Sequence, residues 1–121
     1  MKRCEFLIKN KDLAYIYHIL DAIKDIEESI DKLTKSQFLK DKDRKDANVR
    51  RLEIIGEAVK NISNKTKNEY KNIEWSKIAG TRDKMVHHYF GVDFEIVWNI
   101  ITIDIPILKE VIIQIKKELE H

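Results

Sequence analysis

Between Gly80 and Asp93 the chain reads Gly-Thr-Arg-Asp-Lys-Met-Val-His-His-Tyr-Phe-Gly-Val-Asp, which places Arg82, His87, His88 and Tyr89 within eight residues. A guanidinium is a permanent cation whose planar fork grips phosphate, and an imidazole titrates close enough to neutrality to move protons there. Side chains of these two kinds are the minimum equipment for cleaving RNA without a metal.

On a continuous helix Asp83 and His87 would lie one turn apart on one face, so that the carboxylate could hold the imidazole and raise its pKa. Arg82 and Tyr89 would share another face. Arg82 and His87 would diverge by about 140° at 100° per residue. Joint action then needs the arginine to reach around, the helix to end early, or two subunits to contribute. The plainer alternative is surface decoration, because Arg-Asp pairs and helical histidines are common on solvated helices. A metal site is set aside: His87 and His88 would project in different directions, and no His or Cys partner stands at ligand spacing. No cofactor is expected, and the lack of a glycine-rich phosphate loop argues against the chain itself being a nucleotidyltransferase.

The elements that must position this motif are helical. Three glycines and one proline in 121 residues leave little turn chemistry for a sheet, and the fold class is expected to be all-α, one domain over residues 1–121. Ile16, Leu20, Ile23, Ile26, Ile30 and Leu33 recur at helical spacing, with Asn10 or Asp12 as a candidate cap. A second helix is expected from Asp43 or Asp46 to about Ser63, buried along Leu52, Ile55, Val59 and Ile62. Gly56 on that stripe suggests close approach of a neighbouring helix. Residues 64–80 look irregular, with room for short helical turns, and Trp75 and Ile78 are expected to pin them to the core. Thr81 should start a short helix carrying Arg82 through about Tyr89, with Gly91 ending it and Asp93 capping the last helix.

In that last helix Phe94, Trp98, Ile101, Ile105, Leu108, Ile112, Ile115 and Leu119 form a seam that wants a partner helix. Ile96, Ile100, Ile103 and Ile107 form a second apolar row on another face, which suggests a homodimer. Pro106 cannot donate to the Thr102 carbonyl and should kink the helix.

Charge says less. The 23 basic residues nearly balance 21 acidic ones, and the densest basic run, Lys40 to Lys45, is interleaved with Asp41 and Asp43 and is expected to be a solvated loop. The single Cys4 cannot form an internal disulfide, Phe6-Leu7-Ile8 is too short for a signal-peptide core, and no run suffices for a membrane span. A cytoplasmic location with no membrane partner is expected. Leu119-Glu120-His121 is either native or the start of a tag, and His121 is given no role.

The run from Arg82 to Asp93, an arginine, four residues, a histidine, one residue and a tyrosine, resembles the signature of the HepT-like group in the HEPN superfamily. The likeness extends to Tyr15 and His18-Ile19-Leu20, to Leu52-Glu53-Ile54-Ile55-Gly56-Glu57-Ala58, to Trp75, and to the Asp93–Pro106 segment with Trp98. The resemblance implies an antiparallel bundle of four to five helices that dimerises and brings two copies of the motif into one cleft. It further implies a metal-independent endoribonuclease toxin, acting on RNA and neutralised by a minimal nucleotidyltransferase antitoxin that adds AMP to the motif tyrosine, here Tyr89. Carried onto this chain, His87 would take or deliver the proton and Arg82 would neutralise charge on the phosphoryl oxygens. His88 would be a second base or a solvated side chain. Asp83 is a doubtful point, since a neutral side chain would suit a phosphate cleft better. Glu57, on the polar stripe of its helix, points to solvent or a subunit contact. A non-catalytic nucleotide-binding or partner-binding subunit of a nucleotidyltransferase, and a purely structural helical adaptor, stand as alternatives.

Overall fold

The computed structural model describes residues 3–87 and 91–121, with the backbone alone at 86 and 87. Helices dominate. The chain forms α1 (Arg3–Ile30), α2 (Lys35–Lys40), α3 (Lys42–Asn61), α4 (Asn64–Glu69), α5 (Trp75–Ala79) and α6 (Thr81–Met85), then a two-stranded ribbon of β1 (Val86–His87) and β2 (Gly91–Val92). It closes with α7 (Phe94–Asn99), a π segment (Ile100–Asp104) and α8 (Ile105–Leu119).

Side-chain bonds fix the directions of the long helices. Ser63 near the end of α3 bonds to Asp12 near the start of α1, while Asn48 and Arg44 at the start of α3 bond to Ser29 at the end of α1. Likewise Glu120 meets Tyr17, and Lys109 meets Glu27. Both α3 and α8 therefore run antiparallel to α1. The core between them holds Ile16, Ile19, Ile23 and Ile26 from α1, Leu52, Ile55 and Val59 from α3, and Leu108, Ile112 and Ile115 from α8. These are the stripes that the helical period predicts, with Ile19 added and Leu20 only partly covered.

Several boundaries differ from expectation, each for a local reason. Asp12 does not cap α1. The helix begins nine residues earlier, at Arg3, and Asp12 sits inside it, 1% exposed. The polar break around Ser36 and Phe38 is a short helix, α2, started by a Thr34–Gln37 capping box. Its Phe38 is fully buried, with the Trp98 ring 5.1 Å away. The Lys40–Lys45 run is largely exposed, as expected, but it is a helix-to-helix junction and not a loop, because Asp41 ends α2 and caps α3 by accepting from the Arg44 N–H.

The Arg44 backbone N–H and then its guanidinium, 2.6 Å from the Asp41 carboxylate, hold that carboxyl below its ordinary value of 3.8. A folded-state pKa below the unfolded one contributes stability above the unfolded value, and the contribution is lost as pH falls through the folded value. Asp41→Asn should therefore be less stable than the unmutated chain near pH 6 in urea titrations, with the gap narrowing as pH falls below 3.8. A gap independent of pH would show that the carboxylate charge contributes nothing there.

The last helix is interrupted as Pro106 requires, but by widening. Ile105 N–H reaches the Ile100 carbonyl five residues back, and Pro106 lies in the first turn of α8. A π segment inserts a residue into the helical ladder. The Thr102 hydroxyl donates to the Trp98 carbonyl, satisfying a group beside the disruption. On the outside of this segment Ile103 is 58% and Ile107 65% exposed, while Ile100 is buried and Ile96 packs partly against the core. No helix among the described residues is long and apolar enough to cross a membrane.

Candidate functional site

Arg82 stands on α6, a helix of five residues held at both ends. At its start the Thr81 hydroxyl donates to the Ile78 carbonyl at 2.7 Å, binding α6 back onto α5. α5 in turn lies close against α3: a Cβ on Gly56 would sit 3.4 Å from the Ala79 carbonyl oxygen. The close approach expected at Gly56 is thus made by α5. At the other end of α6, Met85 is buried and its carbonyl accepts from the Asp93 N–H at 2.7 Å. Asp93 simultaneously caps α7, its carboxylate accepting from the N–H groups of Glu95 and Ile96, as expected. The motif is bracketed by two fixed residues, one from each flank.

The motif helix does not continue to Tyr89. It stops at Met85, and the chain turns into β1, which pairs antiparallel with β2 through Val86↔Val92 and His87↔Gly91. Two expectations fall with it. Asp83 and His87 do not share a helical face, so no turn-to-turn carboxylate–imidazole pair follows from their spacing, and the face expected to hold Arg82 and Tyr89 together cannot rest on one continuous helix, Tyr89 itself lying outside the described residues. The 140° divergence of Arg82 and His87 no longer applies, since an early helix end is one of the arrangements that removes it.

Gly91 takes φ +77° at the return of this ribbon, and a Cβ there would meet nothing within 4 Å. The cost of a side chain is therefore backbone strain alone. Gly91→Ala should destabilise the protein by about 1–2 kcal/mol, measured as a shift in urea midpoint. An unchanged midpoint would mean that the ribbon relaxes freely.

Arg82 and Asp83 are both exposed, and among the described residues neither side chain lies within ion-pair distance of an opposite charge. The guanidinium is free to meet an anion from solution. His87 contributes its backbone to β1, and His88 and Tyr89 lie outside the described residues. Glu57 is exposed, as expected, and lines a shallow groove with Tyr15, His18 and Glu53. Among the described residues no group of three or more His, Cys, Asp or Glu could hold a metal ion.

Sequence reasoning missed Lys84, which with Thr81 of α6 lines a cavity, and Asp104, which lines the same cavity from the end of the π segment. The three-residue spacing of Thr81 and Lys84 signalled the first. The proline two residues beyond Asp104 marked the second only as a place of helix disruption.

Comparison with known proteins places the chain in a family. Residues 19–115 match the family model described as ribonuclease HepT-like. A provisionally named RNase of Methanocaldococcus jannaschii is 42% identical over 107 residues, covering 88% of each chain. The provisionally named ribonuclease HepT of Thermococcus cleftensis is 43% identical over 102 residues, 84% of this chain and 93% of its own. A provisionally named RNase of Caldanaerobacter subterraneus is 40% identical over 106 residues, 88% of this chain and 92% of its own. No solved structure matches the chain. With most of its length matched by the model and by relatives over nearly their full length, the chain belongs to the ribonuclease HepT-like family of the HEPN superfamily.

Proposed function

We propose that the protein is a metal-independent endoribonuclease whose active centre is built on Arg82 and His87. The observation that carries this reading is an exposed arginine, without an ion-pair partner among the described residues, on a helix that ends three residues later so that His87 follows on a separate element. The RNase names of the relatives support it. In the reaction a ribose 2′-hydroxyl attacks the adjacent phosphorus as His87 takes its proton. The P–O5′ bond breaks, and the leaving oxygen takes up a proton. The products are a 2′,3′-cyclic phosphate and a 5′-hydroxyl. Arg82 neutralises charge that grows on the non-bridging oxygens.

The exposed pair Ile103 and Ile107 supports a homodimer in which a second copy covers them, bringing two motifs into one cleft. The protein acts as the toxin of a toxin–antitoxin pair, and the antitoxin, a minimal nucleotidyltransferase, silences it by adenylylating Tyr89. The phenol oxygen attacks the α-phosphorus of ATP and pyrophosphate leaves. The added anion would block RNA by bulk and by charge repulsion.

The test is incubation of end-labelled RNAs with purified protein in excess EDTA, with product ends analysed. Cyclic-phosphate ends are expected. Intact RNA across several unrelated substrates would overturn the catalytic reading and favour a nucleotide-binding or partner-binding subunit. Mass spectrometry after incubation with the transferase and ATP should show AMP additions that disappear in Tyr89→Phe, and their persistence would move the modification elsewhere.

A further inference from the structure

A cavity of about 610 Å³ opens between α3, α5, α6 and α8, against the helix that carries Arg82. That volume lies in the range of small-molecule sites. Its floor is apolar, from Leu52 and Ile55 of α3, Ile100 of the π segment and Leu108 of α8. Lys84 of α6 and Asp104 of the π segment are among its charged lining residues. Both side chains are exposed, and neither has an ion-pair partner within 4 Å among the described residues. Lys77, also in the lining, is already paired with Glu74 at 3.0 Å. The lining therefore offers one cation and one carboxylate that are uncommitted among the described residues, together with the exposed amide of Asn72, over an apolar floor.

In-line attack by a 2′-hydroxyl needs the nucleotides flanking the phosphate drawn out of their stack, and single-stranded RNA is read through splayed bases bonded on their Watson–Crick edges. A base drawn out beside Arg82 would find this cavity next to it. A carboxylate accepts hydrogen bonds and donates none, and it repels phosphate, so Asp104 would face the base and Lys84 the backbone. The base that presents two adjacent donors on its Watson–Crick edge is guanine, through N1–H and the exocyclic N2 amine.

We propose, resting on the ribonuclease reading, that the cavity holds a guanine base of single-stranded RNA flanking the cleaved phosphodiester, with Asp104 accepting from N1–H and N2–H and Lys84 neutralising the adjoining phosphate. Ile107, 65% exposed, also lines it, so the cavity would border the proposed contact between copies.

The probes are guanosine 5′-monophosphate and adenosine 5′-monophosphate, titrated into the whole protein and followed by the methyl resonances of Ile100 and Leu108. Guanosine monophosphate should bind about tenfold or more tightly than adenosine monophosphate, as a good bidentate pair implies. Asp104→Asn should abolish that preference, and Lys84→Ala should weaken both ligands alike. A matched set of short RNAs, each with a single guanine, should be cut beside the guanine. Selective guanosine binding with no RNA cleaved would uphold the site and sink the ribonuclease reading. Cleavage without guanine preference, together with no selective binding, would sink the site and leave the ribonuclease standing. If Lys84→Asp or Asp104→Lys turns a dimer into a monomer in sedimentation, the cavity belongs to the contact between copies and the proposal is overturned.

Discussion

His87→Ala is expected to slow metal-free RNA cleavage by about 10²–10⁴-fold, the usual contribution of a positioned general acid or base, with no comparable loss of stability. The reason for separating the two readouts is local. β1 pairs with β2 through the backbone, His87 opposite Gly91, and alanine keeps the backbone N–H and carbonyl that the ribbon uses. Arg82→Ala should likewise abolish most cleavage while lowering stability by no more than about 0.5 kcal/mol in urea titrations, as expected for an exposed side chain with no ion-pair partner among the described residues. Arg82→Lys discriminates further: it keeps the charge but loses the planar fork that bonds two phosphate oxygens at once, so it should recover only part of the rate. Full activity in either alanine variant would remove that residue from the mechanism. Unfolding of Arg82→Ala would instead make the motif a structural device.

Much of the scaffold is legible in the sequence because it rests on a period. The seam from Phe94 to Leu119 and the stripe of Leu52, Ile55 and Val59 are where apolar side chains recur every three or four residues, and they form the core. The motif itself is less legible. Val86 and His87 form a strand of two residues, too short for any alternation to show. Gly91 carries a double meaning: a positive φ ends a helix as readily as it turns a ribbon, and only the buried Met85 and its bond to Asp93 decide between them. Pro106 announced a disrupted ladder, but the same loss of a donor is met by a kink or by a π insertion, and local sequence does not choose. Asp12 shows the remaining limit. A carboxylate near a helix start is a sound capping signal, yet this one serves a helix more than fifty residues away in sequence.

Asp12→Ala is expected to cost about 2–4 kcal/mol, or roughly 10 °C in Tm, a loss on the scale of emptying a core position although the residue is polar. Asp12 is 1% exposed, and its two carboxyl oxygens accept from the Ser63 N–H at 2.8 Å, the Ser63 hydroxyl at 2.6 Å and the Thr66 hydroxyl at 2.6 Å. Ser63 passes the effect on, since its oxygen accepts from the Thr66 N–H as the cap of α4. Alanine would take away the acceptor of all three donors, and its methyl group offers no replacement. Asp12→Asn separates charge and shape: its carbonyl can still take the Ser63 N–H, but its amide cannot accept from a hydroxyl, so the loss should fall between the unmutated chain and alanine. A double-mutant cycle with Ser63→Ala should give a coupling above about 1 kcal/mol, as for residues in one hydrogen-bond network. Losses below about 0.5 kcal/mol for Asp12→Ala, or additive effects in the cycle, would refute the tie. Its position gives it reach toward the site, because α4 opens the connection through Trp75 and α5 to the helix bearing Arg82. The variant should therefore cleave RNA at the ordinary rate well below its melting point and lose activity together with structure as it is warmed, whereas His87→Ala loses the rate with the structure intact.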